Sequence, residues 1–127
     1  PKDIQKNQVV LVKRLNREKL FVSMDELETK IPEVLEDLQN ALYNKALEMR
    51  KSKTFTAVNM DEMERILNET PGFIKAMYCG NEECEITIKD RMGATARCIP
   101  FEQEQISDKC VCCQKEAKHM VYWGRAY

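Results

Sequence analysis

Cys79-Gly80-Asn81-Glu82-Glu83-Cys84 and, after 25 intervening residues, Cys110-Val111-Cys112-Cys113 decide how this 127-residue chain is read. Each stretch offers two thiols from one tight loop, and two such loops brought together by a fold supply the four thiolates of a tetrahedral zinc site. The x2 spacing of Cys110 and Cys113 lets both sulfurs face inward from a single turn, which turns the intervening Cys112 away. Cys98 has no partner at ligand spacing. The expected ligands are therefore Cys79, Cys84, Cys110 and Cys113. Four thiolates leave no open coordination position, so the ion they hold would be structural. Iron is chemically compatible with the same donor set, and spacing does not separate the two metals.

Other uses of the cysteines fit less well. Six cysteines allow fifteen disulfide pairings, but disulfide frameworks belong to small secreted chains, and here 78 cysteine-free residues precede the first thiol. A redox Cys-x-x-Cys needs its first thiol at the start of a helix, and no helical pattern follows Cys110. His119 lies in an apolar stretch unrelated to either loop and reads as a structural or exposed residue. Lys109, Lys115 and Lys118 flank the site, either offsetting its negative charge or simply solvated. Backbone N–H groups of the two loops are expected to donate to the sulfurs. Cys98 reads as a buried apolar thiol within a strand.

The composition is that of an ordinary folded protein: 43% hydrophobic and 32% charged residues exclude disordered and collagen-like classes. With 20 Lys+Arg against 21 Asp+Glu, the formal charge is −1, so no basic surplus marks a dedicated polyphosphate binder. No apolar run approaches the roughly 18 residues of a membrane span. The opening Pro1-Lys2-Asp3-Ile4 has the look of a piece of a longer chain and carries no secretory pattern.

Outward from the cysteines, the chain reads as α+β: a small mixed sheet flanked by helices, with a four-cysteine structural zinc site in its C-terminal part. Val9–Val12 and Leu20–Val22 read as a loosely turned β-hairpin. Ser23-Met24-Asp25-Glu26 has the form of a capping box, Ser23 accepting from the Glu26 N–H. Leu27, Ile31, Val34, Leu35, Leu38, Leu42, Ala46 and Met49 trace one helical face. Pro32 interrupts it, which predicts a short helix from 24 followed by a long one over 31–52. Asn59-Met60-Asp61-Glu62 repeats the capping pattern and starts a helix to about 68. Phe73–Tyr78 reads as a strand; 84–92 fits a strand through the alternation of Ile86 and Ile88, but is read as a helix stopped by a left-handed Gly93; 94–101 and 117–124 read as strands. Three segments result: a hairpin over 1–22, a helical segment over 23–70 and a metal-binding part over 71–127.

The ordered motifs Cys79-Gly80-Asn81-Glu82-Glu83-Cys84, Gly93-Ala94-Thr95-Ala96-Arg97-Cys98-Ile99-Pro100-Phe101, Cys110-Val111-Cys112-Cys113 and Trp123-Gly124-Arg125-Ala126-Tyr127 carry a resemblance. Together they resemble the C-terminal region of prolyl-tRNA synthetases of the archaeal and eukaryotic type, which some bacteria also have. Pro1-Lys2-Asp3 and the strand over 9–14 look like the end of that family's anticodon-binding domain. The resemblance implies the same four zinc ligands. It also implies that the Tyr127 carboxylate reaches towards a catalytic domain, although in a piece separated from that domain the terminal strand is expected to fray. Gln114 stands where the family commonly has Gly, and Asn16-Arg17 where Thr-Gly is frequent.

What the resemblance implies for function is a supporting, non-catalytic part of a cytoplasmic class II ligase, dimeric at full length, that attaches proline to tRNA(Pro). ATP and magnesium would belong to the missing catalytic domain, tRNA and the other domains of the same chain would be the partners, and no membrane would be involved. A rival reading is a zinc module that binds nucleic acid or a partner protein. Arg50, Lys51, Lys53, Arg91, Arg97 and Arg125 would then form a basic face, with Tyr122 and Trp123 for stacking.

Overall fold

The computed structural model describes residues 2–126. Two compact units divide the chain between Met49 and Arg50, ahead of the change in composition near residue 70. The elements, in order, are α1 (Lys2–Gln5), β1 (Gln8–Val12), β2 (Lys19–Ser23), a 3-10 turn (Met24–Glu26), α2 (Leu27–Ser52), β3 (Thr54–Thr56), α3 (Met60–Glu69), β4 (Phe73–Tyr78), α4 (Glu82–Met92), β5 (Ala94–Cys98) and β6 (His119–Arg125). The mixed α+β architecture matches the sequence reading.

In the first unit β1 and β2 form the expected antiparallel hairpin, with Val10 opposite Phe21. Its turn is not the tight glycine kind: Arg17 itself takes the left-handed conformation (φ 62°), and the Asn16 side chain accepts from the Glu18 N–H at 3.1 Å. Ser23 caps differently from the expected box. Its hydroxyl accepts from the Asp25 N–H at 3.3 Å, one residue early, because the chain enters the helix through a 3-10 turn, whose tighter winding brings the earlier N–H into reach.

Pro32 does not divide the helix; α2 passes through it without a break. Its fixed φ is already helical, so the loss is the single bond to the Glu28 carbonyl near the helix start. Only Val22 is buried among the described residues of this unit. Along α2, Ile31, Leu35, Leu42 and Met49 stay exposed.

The second unit is a four-stranded sheet of order β3-β4-β6-β5. β3 runs parallel to β4, while β6 pairs antiparallel with β4 and with β5. Side chains alternate across it, as they must in a pleated sheet. Ile74, Ala76, Val121 and Trp123 point to one face, where Met63 and Leu67 of α3 and Ile88 and Met92 of α4 close the core. Trp123 is fully buried and meets Tyr78 edge to face at 5.4 Å.

The local signals explain the helix limits. Asn59 accepts from the Glu62 N–H at 2.9 Å, and the Glu62 carboxylate returns to the Val58 N–H, one residue before the expected partner. Gly93 ends α4 in the left-handed region (φ 68°). Two strands differ from expectation. β5 stops at Cys98, after an irregularity between Ala96 and Cys98, since Pro100 has no N–H to continue a ladder. β6 begins at His119 and continues one residue past Gly124, to Arg125.

Candidate metal centre

Both loops are anchored to β4. Cys79 directly follows its last residue, and Gly80 turns the chain with φ 87°, a conformation that favours glycine. Asn81 then caps α4, accepting from the Glu83 N–H at 3.0 Å, while its carbonyl accepts from the Cys84 N–H and the Tyr78 hydroxyl. Cys84 thus sits in the first turn of α4, where the helix dipole favours a negative sulfur. The helix starts two residues earlier than expected. Asn81 ahead of two glutamates is the N-cap signal that marks this start.

The second loop is a knuckle closed by the Lys109–Glu116 bridge. The Cys110 N–H donates to the Lys115 carbonyl at 2.7 Å, and the Gln114 N–H to the Cys110 carbonyl at 3.0 Å. The Val111 N–H donates to the Met77 carbonyl at 2.8 Å, docking the knuckle on β4.

These anchors bring one sulfur from each of Cys79, Cys84, Cys110 and Cys113 within 4.8 Å of all the others. Cys79 Sγ lies 3.7 Å from both Cys84 Sγ and Cys113 Sγ. A tetrahedron with Zn–S bonds of about 2.3 Å has S···S edges of about 3.8 Å. A disulfide would need about 2.05 Å, and all six cysteines are free. The donor set, its spacing and its burial fit a metal ion.

The electrostatics point the same way. Burial pushes the Cys84 thiol well up, and Cys110 likewise. Backbone N–H groups of Cys113 and Cys112 oppose that rise at Cys110 by donating to its sulfur. Cys113 is lowered to about 7, chiefly by the Lys115 N–H. A dication among four sulfurs outweighs the burial cost and deprotonates them. The expected backbone donors are therefore present. The side chains of Lys109, Lys115 and Lys118 are exposed, and it is the backbone of Lys115 that serves the site.

The remaining residues sort clearly. Cys112 is half-buried and outside the four-sulfur group. Cys98 is exposed, not buried as expected, because β5 is an edge strand that ends there. His119 is exposed and is not a member of the four-sulfur group, although it pairs with Tyr78, the residue before Cys79. Gln114 takes a left-handed φ of 58°, the conformation that makes Gly common at that place. Its side chain compensates by donating to the Cys110 carbonyl at 3.0 Å and to those of Val111 and Val58 at 3.3 Å.

The terminal strand does not fray through Arg125. The Arg125 guanidinium donates to the Met92 and Leu67 carbonyls and to Asn68 Oδ1, at 2.6, 3.1 and 2.7 Å. Arg97 donates to the Gly124 carbonyl at 3.0 Å. Tyr127 lies outside the described residues.

Residues 60–127 match the family described as "Prolyl-tRNA synthetase, C-terminal". The chain belongs to this family. Over its full length it is 58% identical to a proline-tRNA ligase of Ruminiclostridium cellulolyticum and 59% identical to one of Clostridium novyi. It spans 27% of the length of each. Its whole fold is similar to that of the prolyl-tRNA synthetase from Cryptosporidium parvum complexed with L-proline and AMP, with a TM-score of 0.91 at 34% identity, over 27% of that chain. Membership of the prolyl-tRNA synthetase C-terminal family agrees with the resemblance carried by the cysteine and Trp-Gly-Arg-Ala-Tyr motifs.

Proposed function

We propose that this chain is the C-terminal part of a proline-tRNA ligase, and that it supports the enzyme through one structural zinc ion held by Cys79, Cys84, Cys110 and Cys113. The observation that carries this reading is the convergence of four sulfurs within 4.8 Å in a chain of this family. Zinc bound by four thiolates contributes roughly 10–16 kcal/mol to folding a small segment. With no coordination position left for substrate, its role is to fix β4, α4 and the knuckle relative to one another.

Activation of proline with ATP and magnesium, and its transfer to tRNA(Pro), belong in this reading to a catalytic domain elsewhere in the parent enzyme, a cytoplasmic homodimer. Residues 1–22 are read as the end of the anticodon-binding domain, 23–70 as the helical link and 71–127 as the zinc-binding domain. The apolar stripe Ile31, Leu35 and Leu42 on α2 supports such a link, since it leaves apolar area for another part of the parent to cover. Tyr127 is read as carrying its carboxylate towards the catalytic domain.

A chimera tests the proposal: the matching segment of the Ruminiclostridium cellulolyticum ligase is replaced by this chain. The chimera is expected to charge tRNA(Pro) and to lose thermal stability when Cys79→Ser is introduced. A soluble, metal-loaded chimera without charging activity would contradict the assignment to the ligase.

A further inference from the structure

We infer that the sheet face opposite the core of the second unit carries a binding cleft for single-stranded nucleic acid, with phosphates held by Arg50, Lys51 and Arg97 and a base stacked on Phe73 or Tyr122. The cleft encloses about 750 Å³, within the range of ligand sites. All of these residues line it. This inference rests on the cleft's own side chains and is independent of the zinc site and of the ligase activity.

The alternation of β4 and β6 builds it. Ile74 and Trp123 point into the core, so their neighbours Lys75 and Tyr122, which are paired across the ladder, point to the other face together with Phe73. Phe73 is 42% exposed. Arg50 and Lys51, in the last turn of α2, and Arg97, on β5, bring three cations to the same cleft. The one carboxylate in the lining, Glu104, is committed to Lys75 at 2.6 Å. Among the described residues Arg50, Lys51 and Arg97 make no ion pair with a carboxylate.

Like charges gathered without counter-charge favour an anionic ligand. An anion alone would need no aromatic surface, whereas cations beside exposed rings form the platform on which nucleotide bases stack over a tracked backbone. The structure also thins out the basic face read from the sequence. Arg91 is spent on Asp61 and Glu64, Arg125 commits all three guanidinium nitrogens to Met92, Leu67 and Asn68 whereas Arg97 commits only Nη2, to the Gly124 carbonyl, and Trp123 is buried. Affinity is limited to the range of non-specific contacts, about 10⁻⁴–10⁻⁶ M, because the overall charge is negative.

The test is fluorescence anisotropy of a labelled ten-nucleotide single-stranded RNA titrated with the zinc-loaded 127-residue chain between 50 and 200 mM salt. Three phosphate contacts predict a log–log salt slope of about −2, reduced by about 0.7 in Arg50→Gln or Lys51→Gln. Among the described residues neither has a side-chain hydrogen-bond or ion-pair partner to lose, so both variants should keep the parent circular dichroism. Tyr122→Leu should weaken binding about fivefold or more, with the more exposed Phe73→Leu as a second variant should Tyr122→Leu disturb the sheet. Polyglutamate of matching charge should compete poorly. Absent binding, unchanged binding in all folded variants, or equal displacement by polyglutamate or inorganic phosphate would each overturn the inference.

Discussion

Cys112 and Cys113 are neighbours in the chain with opposite fates, because only Cys113 has its sulfur in the four-sulfur group. Cys113→Ser should abolish stoichiometric metal binding and Cys112→Ser should preserve it, as measured by metal content after gel filtration. The reverse result would exchange their roles. The residue after them carries a second prediction. Gln114 is strained by its left-handed backbone but makes three side-chain hydrogen bonds. Gln114→Ala keeps the strain and loses the bonds, so it should cost about 1 kcal/mol. Gln114→Gly loses the same bonds while relieving strain worth about 1–2 kcal/mol, and should be close to neutral. Equal destabilisation by both in thermal melts would show that the backbone conformation is unimportant. The cysteine spacing made the site legible; the Lys115 N–H donor and the Gln114 bonds were not, since both depend on how the knuckle folds over its own carbonyls.

At the scale of elements, caps decide where helices begin and close approach decides where strands can pair. Asn59→Ala removes the bond to the Glu62 N–H and should cost about 1 kcal/mol, lowering the melting temperature of the second unit by about 4–8 °C. Gly72→Ala should cost more. A Cβ there would lie 2.2 Å from the Lys53 carbonyl oxygen, the acceptor for the Phe73 N–H at the start of the β3–β4 ladder. If Gly72→Ala proved milder than Asn59→Ala, this approach would not be limiting. The hairpin, α3, β4 and the Gly93 stop were legible because each is encoded by local pattern or punctuation. β3 was not: Thr54-Phe55-Thr56 is too short for a periodic signal and exists through parallel pairing with β4, a partner about 20 residues away. Pro32 misled for a related reason, since a proline near a helix start removes only one bond and α2 has 26 residues to absorb that loss.

For the whole molecule, composition suggested a divide near residue 70, whereas the compact units part after Met49. β3 and α3 lie before the cysteines in sequence but complete the same sheet and core, a non-local fact that composition cannot carry. One core holds both cysteine loops and Trp123, so the proposed ion would be needed for the second unit to hold together. Chelation should expose Trp123 and red-shift its emission. The apo chain should lose helix and sheet signal from this unit together, and unchanged emission after complete metal removal would contradict that coupling.

The most direct test of the central claim is the metal content of the purified chain combined with thiol alkylation under native conditions. The proposed zinc site predicts one equivalent of zinc, with Cys79, Cys84, Cys110 and Cys113 protected and exposed Cys98 modified first. Zinc well below one equivalent with those four thiols readily alkylated, or iron in its place, would contradict it.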